Sequence, residues 1–309
     1  MRRFRISGHG HKSPVELNRP SLIVALLTPF DENGGLDRTA LGAHVDYLVA
    51  AGVDALMPCG TTGEGPVLSD VEVAETVRAA CDAAGRRVPV LAHVGRPGTE
   101  ATLALARQAV ADGADAVSAV VPYYYPADGD QIRTHYGTLV EGLDGTPVFG
   151  YTIPERTHNE LEPSLLGALI ADGLAGLKDS TKSLERHREY AAAARDAGGR
   201  FDLLMGSASL VLEAVRAGAA GAVLAVANSH PDLCADLVRA CRDGRNEEAE
   251  RLQAELAAVE REIQREGAVP GLKRQVAERL RARGATEYGT ELRAPLGTAG
   301  RRTALRPGA

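Results

Sequence analysis

Lys178 ends the apolar run Leu174, Ala175, Gly176, Leu177 in a chain that hardly uses lysine: among 35 lysines and arginines, only Lys12, Lys178, Lys182 and Lys273 are lysines. Arginine serves the cationic surface, and a guanidinium effectively never deprotonates. A lysine amine can lose its proton and attack a carbonyl carbon, forming a Schiff base with a ketone. Burial penalises the charged form of an amine, so an apolar neighbourhood favours the nucleophilic form. A purely structural lysine here would instead pair with the adjacent Asp179. Lys182, further along in a polar stretch, reads as solvated.

Other polar groups fall where apolar runs end. "GTTGEG" (60–65) offers two hydroxyls and several backbone N–H groups in a glycine-rich turn, which suits an anion such as a carboxylate. It lacks the G-x-x-x-x-G-K-[ST] pattern of a nucleotide loop. "PYYYP" (122–126) gathers three phenols, "YTIPERT" (151–157) begins with Tyr151, and "MGSAS" (205–209) ends a further run. A neutral phenol, with a pKa near about 10, needs a relay partner to exchange protons, and Thr61 or Thr62 can supply one. An amine, a phenol and a hydroxyl loop are the parts that turn a 2-oxo acid into an enamine. That chemistry requires no metal or flavin, and no His/Asp/Glu cluster at these ends suits a metal-dependent aldolase.

The elements that must position these groups alternate. Continuous apolar runs at 21–30, 54–60, 89–94, 116–122, 147–153, 174–180, 201–206 and 221–227 read as parallel strands covered on both faces. Alanine-rich amphipathic stretches lie between them. One is "SDVEVAETVRAACDAAG", with Ser69 as N-cap and Gly85 as stop. Eight such units predict an α/β fold, a (β/α)8 TIM barrel over 21–242. A doubly wound sheet is the runner-up, but no G-x-G-x-x-G follows the first strand. A C-terminal helical appendage is expected over 243–297. Residues 1–20 read as a disordered basic arm, in which His9 and His11 make at most a weak metal site, and 298–309 as a disordered tail.

Composition excludes several classes. A net charge of −6 disfavours a general nucleic-acid binder. No run of eighteen apolar residues predicts a membrane span, and no apolar h-region follows the basic start. Cys59, Cys81, Cys234 and Cys241 form no C-x-x-C pair, so neither a disulfide framework nor a zinc site is expected, and a cytoplasmic location follows. Cys59, beside the glycine-rich loop, reads as a small buried residue.

Taken in order, "GTTGE", "PYYYP", "YTIPERT" and "GLKDS" resemble the motifs of the dihydrodipicolinate synthase / N-acetylneuraminate lyase superfamily, the pyruvate-dependent class I aldolases, over roughly 21–297. The resemblance implies a Schiff base on Lys178 with no separate cofactor, Tyr151 as acid/base, and Thr61 and Thr62 both on the pyruvate carboxylate and in the relay. It implies that Tyr124 is lent to the site by a neighbouring subunit. Further substrate contacts are expected from Gly63, Arg156, Gly206 and Val223, and the assembly is expected to be a homotetramer built as a dimer of dimers. The partners implied are pyruvate, or another 2-oxo acid, and an aldehyde.

Arg156 matches the arginine with which the synthases grip the carboxylate of aspartate semialdehyde, a fitting use of a guanidinium. Asp179, Tyr125 and His158 stand where the synthases usually have glutamate, asparagine and glycine. With "VPGLK" and "RAPL", these departures look more like 2-keto-3-deoxy-sugar-acid or 4-hydroxy-2-oxoglutarate aldolases. Gly65, Pro66, Asp70, Val73 and Arg96 replace the polar set of the lysine-feedback pocket, so inhibition by lysine is expected to be weak or absent. A reading from another class is a non-catalytic barrel that binds a 2-oxo acid without exchanging its methyl protons.

Overall fold

A computed structural model describes residues 3–6, 15–18, 20–285 and 287–297. The tail expected at 298–309, together with Lys12, His9 and His11, lies outside the described residues. Within the segment read as an arm, strands β1 (Arg3–Ile6) and β2 (Val15–Asn18) pair antiparallel.

The eight apolar runs each supply one strand: β3 (Ser21–Ala25), β4 (Ala55–Met57), β5 (Leu91–His93), β6 (Ala116–Val120), β7 (Val148–Thr152), β8 (Gly176–Asp179), β9 (Asp202–Met205) and β10 (Gly221–Leu224). They are parallel, in the order β4-β3-β10-β9-β8-β7-β6-β5, and a parallel bridge between Leu56 and Val90 joins the two ends. The sheet closes on itself as a (β/α)8 barrel. Strands are shorter than the runs that announce them. Leu26 and Leu27, for instance, are fully buried yet lie beyond β3, where the Asn228 side chain accepts from Leu27 N at 3.0 Å and donates to Ala25 O at 2.8 Å. Leu26 N still donates to Met57 O at 2.9 Å, and past it apolarity reports burial, not ladder pairing.

Helices α1 (Arg38–Ala50), α2 (Asp70–Ala84), α3 (Thr99–Ala111), α4 (Gly129–Glu141), the short α5 (Pro154–Thr157), α6 (Pro163–Ala171), α7 (Leu184–Ala197), α8 (Val211–Arg216) and α9 (Pro231–Arg242) fill the intervals. The expected start and stop of α2 hold: Ser69 and Glu72 form a reciprocal capping box, and Gly85 ends the helix in the left-handed conformation. Beyond the barrel, α10 (Asn246–Arg265) packs on α9, and α11 (Ala268–Ala282) reaches back to α1.

Successive strand residues point to opposite faces. Ile23, Ala25, Met57, Leu91, Ala116, Phe149, Leu204 and Val223 form the barrel's interior cluster. That parity turns the side chains two positions on, His93, Ser118 and Tyr151, inward as well. Among the described residues no helix is long and apolar enough to cross a membrane.

Four histidines are held neutral inside this fold. Burial drives His44, His135 and His230 down to about 4 and His93 to about 3, from an ordinary value of 6.5. Between 6.5 and those values the unfolded chain binds protons that the folded chain refuses, so stability rises with pH there and is lost on acidification. The slope is at most about 1.4 kcal/mol per pH unit for each histidine. Melting temperature should therefore fall between about pH 7 and about pH 5; an unchanged Tm would show that these rings titrate normally.

Candidate active site

The loop after β4 is folded so tightly that Gly63 and Gly65 are obligatory. A Cβ on Gly63 would sit 2.6 Å from the Leu26 carbonyl oxygen, and one on Gly65 1.7 Å from that of Cys59. Thr28 Oγ1 donates to Gly63 O at 2.7 Å. Cys59 and Glu64 both take left-handed backbone conformations, with φ of 61° and 60°. Arg96 braces the outside of the loop, donating to Gly65 O and Leu68 O at 3.0 Å each and to Asp70 at 2.8 Å. Cys59 is buried, and desolvation pushes its thiol up to about 12, leaving it no nucleophilic role.

This folding presents Thr61 to Tyr151, whose hydroxyl lies 3.3 Å from Thr61 Oγ1. Of the two threonines it is Thr61 that makes this bond; Thr62 is half-buried in the same turn and makes none to the phenol among the described residues. Tyr151 on β7 is directly across the ladder from Lys178 on β8. The Lys178 Nζ stands 4.1 Å from the centre of the Tyr151 ring, and the lysine is 5% exposed. Burial pushes the phenol's pKa up. The Lys178 charge, together with hydrogen bonding from Thr61, Ser180 and Lys178, outweighs it, so the net shift is downward. Tyr136 anchors the strand from outside: its hydroxyl donates to Ala119 O at 3.0 Å and accepts from Tyr151 N at 3.4 Å.

Asp179 does not pair with Lys178. It faces outward, where Oδ2 meets the His187 ring at 2.8 Å and Oδ1 accepts from Thr181 N and Oγ1 at 2.9 and 2.7 Å. Its charge and hydrogen-bonding capacity are occupied on α7 and the loop, leaving the lysine to the interior. Lys182 is exposed and bridges to Glu155 at 2.5 Å.

A chamber of about 290 Å³ opens at this end of the barrel, lined by Thr61, Tyr151, His93, Tyr123 and Arg156 among its polar groups. Val120, Ile153, Val269 and Leu296 supply apolar walls. Arg156 is exposed at the rim on α5, whose turn ends at His158 with φ 57°, a left-handed position where glycine would be relaxed. Asn159 ties that turn to the tyrosine loop, donating to Pro122 O and Tyr125 O at 2.8 Å each. Tyr124 does not line its own chain's chamber. It is 81% exposed, with φ 80°, and stands edge-to-face with Tyr125.

Lys178, Thr62, Gly63, Gly206 and Val223 are not among the residues that line the chamber. Gly206 acts one step back: a Cβ there would meet Ser180 Oγ at 2.0 Å, so its absence leaves room for the hydroxyl that approaches Tyr151. Val223 belongs to the barrel's apolar interior, beside Leu204 and Met57. His93 was not anticipated. Its ring meets Tyr151 edge-on at 5.8 Å between centres, and its Nε2 is buried without a partner. The visible signal was a lone polar side chain in "PVLAHV", two positions from inward-facing Leu91. Among the described residues no group of three or more His, Cys, Asp or Glu side chains is placed to hold a metal ion.

A sequence model of the Dihydrodipicolinate synthetase family matches residues 19–303. An uncharacterized DapA-like lyase of Halobacterium salinarum is 37% identical over 265 residues, covering 85% of each chain. A 4-hydroxy-tetrahydrodipicolinate synthase of Bartonella bacilliformis is 33% identical over 258 residues, covering 83% of this chain and 86% of its own. Among solved structures, YagE, a prophage protein of the dihydrodipicolinic acid synthase family from E. coli K12 in complex with pyruvate, superposes with a TM-score of 0.83 at 28% identity. That match covers 89% of this chain and 92% of the other.

Proposed function

The chain belongs to the dihydrodipicolinate synthetase family, and on that premise we propose that it is a class I aldolase joining pyruvate to an aldehyde, or cleaving the product, through a Schiff base on Lys178. The observation that carries this reading is the bracketing of Tyr151, with the Lys178 amine on one side of its ring and the Thr61 hydroxyl on its own hydroxyl. The family is one of lyases, and a related structure holds pyruvate.

The Lys178 amine adds to the ketone carbon of pyruvate, whose carboxylate lies on the Thr61–Thr62 turn. Tyr151 gives a proton to the departing hydroxyl, and water leaves as the iminium forms. The iminium draws electrons from the adjacent methyl, the Tyr151 phenolate takes the C3 proton, and the enamine attacks the aldehyde carbon, whose oxygen takes that proton from Tyr151. Water then hydrolyses the imine and frees Lys178. The electron sink is the iminium itself, so no separate cofactor is called for. Tyr124, exposed on its own chain, is assigned to the site of a neighbouring copy in a homotetramer. The discriminating test is exchange of pyruvate's methyl protons in deuterated water: a 2-oxo-acid-binding barrel without catalysis leaves them in place, and the proposed enzyme replaces them.

Arg156 at the chamber rim is suited to an aldehyde carrying a second carboxylate, as in a dihydrodipicolinate-synthase-like reaction. Charge-assisted pairs contribute about 1.5–3 kcal/mol, so Arg156→Ala should raise KM for carboxylated aldehydes about tenfold or more and leave neutral aldehydes unchanged. Equal losses for glyceraldehyde and aspartate semialdehyde would remove that role and favour the sugar-acid alternative. Arg96 brings a fixed cation, held by Asp70 and two carbonyls, to the region where the resemblance puts a lysine-feedback pocket. Free lysine at millimolar concentration should therefore leave the rate unchanged; inhibition by half would contradict this.

A further inference from the structure

Glu64 lies within the loop that presents Thr61, and its side chain is wholly buried. A buried carboxylate without partners is strongly disfavoured. Its partners all come from the far end of the chain. Lys273 on α11 places Nζ 2.6 Å from Oε1 and donates to Glu291 O at 2.6 Å. The backbone N–H of Arg293 donates to Oε2 at 2.7 Å. Lys273 and Arg293 both stand over the Phe30 ring, 4.3 and 4.5 Å from its centre, and Arg293 also bridges to Glu72 at 2.7 Å. Gly289 approaches so closely that a Cβ would lie 2.0 Å from Phe30 O. Leu296, on the same segment, and Val269 of α11 reach the chamber wall.

Within the loop, Glu64 N donates to Thr61 O at 3.2 Å, and Gly65 N to Gly60 O at 3.1 Å. The residue that receives the C-terminal partners therefore also closes the turn that carries Thr61. Replacing a buried ion pair by neutral groups of similar volume is often neutral or stabilising, so stability alone does not call for this pair.

We propose that Glu64 and Lys273 are positioning residues: the buried pair fastens the C-terminal segment to the glycine-rich loop and holds Thr61 against Tyr151, making the helical appendage a working part of the site. The proposal rests on the Schiff-base reading above. Its test measures kinetics, borohydride trapping with pyruvate and Tm for the wild type, Glu64→Gln, Lys273→Met and the double variant. Trapping by the wild type reads the Schiff base itself; its failure overturns both ideas, and the variants read the latch alone. The double variant should melt near the wild type and still be trapped at Lys178, with pyruvate KM raised about tenfold and methyl-proton exchange slowed. The single variants should show the same KM shift with a lower Tm. A double variant with KM and exchange within about twofold of wild type overturns the positioning role. If the buried changes prevent folding, Glu64→Asp decides, because it keeps the buried charge and draws the carboxylate back by one methylene from Lys273 and from Arg293 N. A pyruvate KM raised about threefold supports the latch, and an unchanged KM overturns it.

Discussion

Lys178→Arg should fold and show no measurable turnover, a loss of about 10⁴-fold or more in kcat/KM. Arginine keeps the charge and much of the length, so the contact with the Tyr151 ring is retained in kind. It cannot become a neutral nucleophile, so no iminium forms and no enamine follows. Asp179 is satisfied by His187 and Thr181, so the substitution orphans no carboxylate. Lys178→Ala should be equally inactive, which separates a missing amine from a misplaced guanidinium. Retention of even a tenth of the activity in either variant, assayed by pyruvate consumption with an aldehyde, would place the chemistry elsewhere.

The second large effect is expected from Tyr151→Phe, a fall of about 10²–10⁴-fold in kcat, the range for a general acid–base group. The ring stays, so the packing on Lys178 and the edge contact with His93 survive. The hydroxyl that faces Thr61 is lost. Imine formation and C3 deprotonation both need that proton carrier, so methyl exchange and turnover should fall together while pyruvate KM changes little. Because Thr61 rather than Thr62 contacts the phenol, Thr61→Val should reproduce part of the loss. Exchange within about twofold of wild type in Tyr151→Phe would transfer the proton work to another group.

The barrel was legible because its strands are buried on both faces and so read as unbroken apolar runs, interrupted by capped helices such as α2. Strand ends were less legible, since Leu27 remains buried after the ladder has stopped. Lys178, Tyr151 and Thr61 stood out because each is a polar residue where an apolar run ends, and the barrel brings such ends together. The Glu64–Lys273 pair left no comparable mark. Those residues are 209 positions apart, the acid sits inside a motif already explained by its threonines, and only closure of the C-terminal segment joins them. His93 was hidden differently. One polar side chain in a short apolar run gains meaning only when strand parity turns it inward beside Tyr151. Val223 shows the converse: a position at the right end of a strand that packs into the core.

The central claim is a covalent bond between Lys178 and a 2-oxo acid. Wild-type protein incubated with pyruvate and sodium borohydride, digested and mapped by mass spectrometry, should carry one reduced pyruvate on the peptide containing Lys178. Lys178→Arg should carry none. No adduct in the wild type, or an adduct on Lys182 or Lys273 instead, would contradict the account.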